Sequence, residues 1–234
     1  MTTHVETIGF DADDTLWQNE TFYRMTQDRF ADLLSGYVDP DHLQAKLLEA
    51  ERRNLGHYGF GIKGFMLSMI ETAIEVTEER VPARVISEIL AAGQEMLAHP
   101  IELLPEAKET VRHLADSRTL VLITKGDLLD QERKLAQSGL GELFDAVEIV
   151  SDKTEHVYSR AFAAHGDGPE RAMMIGNSMR SDVIPAIEAG AWGVFVPHGL
   201  TWEIEHAKAP EDHPRFRELD SLGGVLGLLD EIET

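Results

Sequence analysis

The sequence predicts an α/β protein: a doubly wound parallel sheet of Rossmann-like type with an inserted all-α cap domain. Three observations carry this. Short apolar runs recur at "TLVLIT" (119–124), "AVEIV" (146–150), "AMMIG" (172–176) and "WGVFV" (192–196), with helical patterns between them. One further run, Val5 to Phe10, stands far ahead of the others. From Gln18 to about His99 the chain shows helical periodicity and no convincing strand. Strands alternating with helices at this spacing imply parallel neighbours joined by crossovers.

The elements follow in order. Val5 to Phe10 is short, apolar and suited to a buried strand. In the insertion, Tyr23, Phe30, Leu34 and Tyr37 are expected on one helical face, and Val85, Ile86, Ile89, Leu90, Met96 and Leu97 on another. "GFGIKG" (59–64) has the letters of a dinucleotide fingerprint, but it follows the helix-like "EAERRNLGHY" instead of a strand, so it reads as a bend inside the insertion. "PEAKETVRHLADS" is a helix returning the chain to the sheet. "DQERKLAQSGLG" and "TEHVYSRAFAAHGDG" are helices stopped by Gly, and "SDVIPAIEAGA" opens on a Ser-Asp cap and stops at Gly190. "SLGGVLGLLDEIET" reads as a last strand or loop and then a helix. The expected division is 1–17 and 100–234 for the α/β core and 18–99 for the helical cap, which would cover the turn that follows the first strand.

Composition limits the function. With 42 acidic against 21 basic residues the formal charge is −21, which repels nucleic acid and anionic membrane surfaces. An anionic substrate then requires a local cation or clustered Lys. The absence of cysteine excludes disulfides, thiolate catalysis and Cys-ligated metals. No apolar run approaches about 18 residues and no export-type segment opens the sequence, so a cytoplasmic protein is expected. The 10 His show no H-E-x-x-H spacing, and His198, His206 and His213 read as solvated or loop residues.

The chemistry concentrates where strands end. "DADD" (11–14) sets three carboxylates in four residues directly after an apolar run, an arrangement that is costly unless a cation or hydrogen bonds compensate. In open parallel sheets ligands bind outside the carboxyl ends of the strands. There the successive runs deliver Asp11 and Asp13, then Thr124 and Lys125, then Lys153, then Asn177 and Asp182. Asp11 and Asp182 are hard oxygen donors of the kind Mg²⁺ takes together with water and a substrate phosphate. Thr124 and Lys153 suit phosphoryl oxygens and the charge that develops in transfer. Asp13 can carry a proton if its surroundings raise its pKa.

"DADDT" (11–15) resembles the D-x-D-x-T signature of the haloacid dehalogenase-like hydrolase superfamily. "VLITK", Lys153 and "IGNSMRSD" follow in that family's order, and the 18–99 insertion corresponds in position and helical character to its type 1 cap. The resemblance implies a Mg²⁺-dependent phosphatase acting on a small phosphorylated metabolite. Asp11 would form an aspartyl-phosphate, and Asp13 would protonate the leaving oxygen and then activate water while its backbone carbonyl helps hold the metal. Thr124 and Lys153 would grip the phosphoryl group, with Lys153 also screening Asp11 from Asp182. Thr15 would brace the turn.

Two positions depart from the family pattern. Asn177 stands where many members have Asp, so its contact with the metal is that of one neutral oxygen or passes through water. Lys125 stands where many have Asn, and either adds a cation near the phosphate or points to solvent. Lys63, in "GFGIKG", either faces the substrate or is a surface charge. Trp17 reads as packing at the cap hinge. The competing functions are a metal-independent dehalogenase, which the second motif acid Asp13 argues against, a phosphoacceptor domain, which would be about half this length, and a non-catalytic phosphate-binding protein on the same fold.

Overall fold

The computed structural model describes residues 4–234. The chain divides into two compact units: one comprises the residues up to Glu20, Ile101–Lys125 and Gln131–Thr234, and the other comprises Thr21–Pro100 with Gly126–Asp130.

The first unit is built on a parallel sheet. Its strands are β1 (Thr7–Phe10), β2 (Thr119–Lys125), β3 (Ala146–Val150), β4 (Ala172–Gly176), β5 (Trp192–Phe195) and β6 (Phe216–Glu218), in the spatial order β3-β2-β1-β4-β5-β6. β1 is central, pairing Thr7 with Thr119 on one side and with Ala172 on the other. The strand order reverses between β1 and β4, which is where such sheets open a crevice at their carboxyl ends.

Alternation of side chains along the strands divides the core in two. Ile8, Phe10, Leu120, Leu122, Met173 and Ile175 point into one cluster, which α5 (Ala107–Ala115) and α9 (Val225–Glu233) complete with Val111, Leu114, Val225, Leu228 and Leu229. Val121, Ile123, Ala172 and Met174 point into the other, closed by Tyr158, Ala161 and Phe162 of α7 (Glu155–His165) and Ala186 of α8 (Ile184–Glu188). Burying side chains of this size contributes about 1.5–3 kcal/mol each, so every central strand is held from both faces. α7 starts where the Thr154 side chain accepts from the Val157 N–H, and the turn after α8 closes on Gly190 at φ 99°.

The second unit is helical, with α1 (Glu20–Leu34), α2 (Pro40–Tyr58), α3 (Ile62–Val76) and α4 (Ala83–Ala98) around its own core of Phe30, Leu34, Leu47, Phe65, Met69 and Ile89. α6 (Leu128–Ser138) begins in this unit and continues in the first. Asp39 caps α2 by accepting from the His42 N–H, with Pro40 at the first helical position. Gly59 and Gly61, at φ 70° and 114°, make the bend between α2 and α3, a conformation that favours glycine. Two residues expected on buried helical faces are exposed instead. Tyr37 lies beyond the end of α1 and is 50% exposed, and Leu90 is 42% exposed because the buried stripe of α4 runs through Val85, Ile89, Ala92 and Met96. No helix among the described residues is long and apolar enough to cross a membrane.

Candidate active site

The three carboxylates of "DADD" are compensated in three different ways, each fixed by the local backbone. β1 ends as the Asp11 N–H donates to the Ile175 carbonyl at 2.9 Å, and the chain then turns back on itself, the Asp14 N–H donating to the Trp17 carbonyl at 2.7 Å. Asp14 adopts φ 59°, and its carboxylate accepts from the N–H groups of Asn19 and Glu20, capping the entry to α1. Burial and the neighbouring Asp13 push the Asp14 pKa up to about 6, against those two hydrogen bonds and His198. His198 Nδ1 is 3.6 Å from Asp14 Oδ1 with its side chain 14% exposed, so of the two readings, solvated or loop, it is a loop residue turned inward.

Asp11 faces a cation. Lys153 Nζ donates to Asp11 Oδ1 and, at 2.7 Å, to Asp182 Oδ1, and all three side chains are buried. Burial and the repulsion of Asp182 push Asp11 up to about 7 in spite of Lys153. Burial alone would lower the Lys153 pKa, yet the two carboxylates raise it, so the ammonium stays charged. Asp182 lies within a single π-helical turn, Met179–Val183, and its Oδ2 accepts from the Ser178 N–H at 2.9 Å. Gly176 is required here: a Cβ on it would lie 2.3 Å from Asp182 Oδ2. The Tyr158 hydroxyl donates to the Ser181 carbonyl at 2.8 Å and lies 3.5 Å from Asp182 Oδ1. Thr124, at the end of β2, is 1% exposed.

Asn177, directly after β4, points one end of its amide at Asp11 Oδ2 (3.1 Å), the Asp13 carbonyl oxygen (3.2 Å) and Thr15 Oγ1 (3.3 Å). An NH₂ in that position donates to these oxygens. An oxygen there lies 3.1 Å from Asp11 Oδ2 and 3.2 Å from the Asp13 carbonyl oxygen, the spacing of neighbouring oxygens on a cation with metal–oxygen bonds of about 2.1 Å. The donors present therefore fit Mg²⁺, through one carboxylate, one backbone carbonyl and one amide. Thr15 Oγ1 accepts from the Asn177 N–H at 3.0 Å and lies 3.3 Å from Asp11 Oδ2, tying the two chain segments together.

Asp13 departs from expectation. Its carboxylate accepts from Trp17 Nε1 at 2.7 Å, Gln131 Nε2 at 2.8 Å, and Lys134 Nζ at 2.9 and 3.1 Å. Burial pushes its pKa up, but the Lys134 charge and the hydrogen bonds from Lys134, Gln131 and Trp17 outweigh that and hold it below the usual carboxylate value. The condition stated for proton transfer, a raised pKa, is therefore not met in this arrangement. Trp17 is fully buried in the core of the α/β unit, where its backbone pairs with Leu103.

Lys125 is neither a spare cation nor a solvated one. Its Nζ is 2.5 Å from Glu205 Oε1 and 2.7 Å from Ser181 Oγ, with the side chain 15% exposed. Glu205 Oε2 accepts from the hydroxyls of Ser178 and Ser181, each at 2.5 Å. Burial raises the Glu205 pKa, and Lys125 with these hydroxyls lowers it further than that. Lys63 belongs to the helical unit, where it ion-pairs with Asp127 at 3.2 Å. The sequence reading missed Gln131, Lys134, Tyr158 and Glu205. The first two were detectable in principle, standing three residues apart on the helix that follows β2, a spacing that puts both on one face.

A family model described as haloacid dehalogenase-like hydrolase matches residues 5–190. The chain belongs to this family. A haloacid dehalogenase-like family hydrolase from Xanthomonas campestris is 43% identical and superposes with a TM-score of 0.87, covering 98% of this chain and 92% of that one. The glyceraldehyde 3-phosphate phosphatase of Methanothermobacter thermautotrophicus is 30% identical over 107 residues, 43% of this chain and 44% of that protein. The phosphoserine phosphatase of Thermus thermophilus is 33% identical over 124 residues, 49% of this chain and 47% of that protein. The chain thus matches less than half the length of either phosphatase.

Proposed function

We propose that the chain is a Mg²⁺-dependent phosphatase acting on a small phosphorylated metabolite through an aspartyl-phosphate on Asp11. The observation that carries this is the grouping of Asp11, Lys153 and Asp182 beside the oxygens of Asn177 and the Asp13 carbonyl, all at the carboxyl ends of β1, β3 and β4. Family membership and two phosphatase relatives support it.

The metal would be held by Asp11, the Asp13 carbonyl and Asn177, with Asp182 beside them, and when bound it supplies positive charge to the phosphoryl oxygens and to Asp11. Lys153 neutralises the Asp11–Asp182 pair and presents an ammonium to a phosphoryl oxygen, and Thr124 presents a hydroxyl. A carboxylate oxygen of Asp11 forms a bond to phosphorus as the ester P–O bond breaks. The leaving oxygen takes the proton of the Asp13 carboxyl. The resulting Asp13 carboxylate then accepts a proton from water, whose oxygen bonds to phosphorus as the Asp11–phosphorus bond breaks, releasing inorganic phosphate. Before the first of these transfers Asp13 must acquire the proton that its three donors disfavour.

The test is a panel of phosphate esters with and without Mg²⁺, repeated on Asp11→Asn. Hydrolysis that needs Mg²⁺ and Asp11 supports the reading. Chloride release from a haloacid without metal would replace it with dehalogenation, and a long-lived phosphoaspartate without turnover would replace it with a phosphoacceptor role.

A further inference from the structure

We propose that Glu205 is a positioning residue that braces the segment from Asn177 to Asp182 and so sets the preference of the site for Mg²⁺ over the larger Ca²⁺, a role that rests on the metal-dependent reading above. The segment contains a single π-helical turn, Met179–Val183, a wide and rare form of helix. Ser178 caps it: its hydroxyl oxygen accepts from the Ser181 N–H at 2.9 Å, and its own N–H donates to Asp182 Oδ2. A carboxylate only accepts, so the Ser178 and Ser181 hydroxyls both direct their one proton to Glu205 Oε2. Lys125 Nζ closes the ring, donating to Ser181 Oγ and to Glu205 Oε1. The backbone beside Glu205 is docked as well, since Arg180 Nη1 donates to the Ile204 carbonyl at 2.8 Å.

Glu205 comes from the turn Glu203–Glu205 beyond β5, and its side chain is 12% exposed. A lysine needing only a counter-ion would be served by one carboxylate oxygen; the other oxygen gathers two hydroxyls. Ser178 directly follows Asn177 and Ser181 directly precedes Asp182, so holding both hydroxyls fixes the separation of those two residues. Spacing is what distinguishes the two cations. Neighbouring oxygens on an octahedral cation are about 3.0 Å apart for metal–oxygen bonds of about 2.1 Å, as for Mg²⁺, and about 3.4 Å apart for bonds of about 2.4 Å, as for Ca²⁺. Slack of about 0.4 Å in the segment is therefore enough to move the preference toward Ca²⁺. Outer partners of metal-binding groups act in this way, by orienting side chains without touching the metal themselves.

The experiment reads the ratio of Mg²⁺ to Ca²⁺ affinity by calorimetric titration with each metal alone. Removing Glu205 also changes the local charge, but two divalent ions feel that change alike, so the ratio reports geometry. Wild type is compared with Glu205→Ala, Glu205→Gln, Glu205→Ala combined with Lys125→Met, and Leu228→Ala, which lowers stability from the core beside α9. Glu205→Ala is expected to lower the ratio by about tenfold, the lower end of the effect of removing an outer partner of a metal ligand. Glu205→Gln, which keeps one oxygen for the hydroxyls, should recover part of that loss. Adding Lys125→Met to Glu205→Ala should raise the melting temperature while the ratio stays low, and Leu228→Ala should keep the wild-type ratio. An unchanged ratio in Glu205→Ala, a ratio that recovers together with the melting temperature, or an equal fall in Leu228→Ala overturns the brace and leaves the phosphatase reading intact. A wild type that binds Mg²⁺ but hydrolyses no phosphate ester overturns that reading and leaves the brace standing, whereas one that binds neither cation overturns both. Should Glu205→Ala fail to fold alone, its combination with Lys125→Met carries the same comparison.

Discussion

Lys153 Nζ is shared between Asp11 Oδ1 and Asp182 Oδ1, so one ammonium neutralises part of a buried carboxylate pair drawn from β1 and from the turn after β4. Lys153→Met removes it and leaves two carboxylates facing each other in the core. Breaking a buried pair in this way costs about 3–5 kcal/mol. Urea denaturation at neutral pH should show a loss of that order, together with loss of hydrolysis.

The pH dependence of stability follows from the same pair. Asp11 is raised from 3.8 to about 7, so its protonated form favours the fold. That contribution is fully present below about pH 4 and is lost as pH climbs through about 7. Asp11→Asn removes the ionisation. Its melting temperature relative to wild type, measured without divalent ions, should therefore rise from pH 5 to pH 8. A constant difference across that range would count against an Asp11 raised by burial and Asp182.

Asn177 can present either end of its amide to the oxygens of Asp11 and Asp13. Asn177→Asp replaces a donor by a second carboxylate 3.1 Å from Asp11 Oδ2. Calorimetric titration should show tighter Mg²⁺ binding, and melting in a chelator should show lower stability than wild type. The two effects have opposite signs because the cation compensates a repulsion that the metal-free protein bears alone.

Glu205 holds Lys125, Ser178 and Ser181 at once. Glu205→Ala removes the carboxylate that pairs with Lys125 and that accepts from both hydroxyls of the loop that carries Asp182. A stability loss of about 3 kcal/mol is expected from breaking this part-buried ion pair, with weaker Mg²⁺ binding by calorimetry. Lys125→Met in the same background should restore much of the stability.

Much of this was legible in the sequence because β-strands deliver side chains to predictable places. Asp11, Asn177 and Asp182 all follow apolar runs, and the sheet order then brings them together with Lys153, while Thr124 is buried at the end of β2. β6 was not legible: Phe216–Glu218 is three residues long and is a strand only because the edge of β5 pairs with it. Tyr37 and Leu90 were misplaced because helical periodicity drifts at a helix end and along a wide apolar stripe. Lys134 and Gln131 look like surface residues of an amphipathic helix, and Glu205 looks like one acid among many. What changes their meaning is a buried carboxylate or ammonium contributed from a distant segment, and periodicity carries no record of that.

The placement of β1 has a consequence for biosynthesis. Its first sheet partner begins at Thr119 and its second at Ala172, so the N-terminal strand emerges long before either neighbour exists. The helical unit, whose contacts are more local, has its whole main segment translated in the interval. Nascent chains arrested ahead of Thr119 would therefore display Asp11 on an unpaired apolar strand, those arrested between Lys125 and Ala172 would offer it one neighbour, and recovery of turnover after release would time the closing of the sheet.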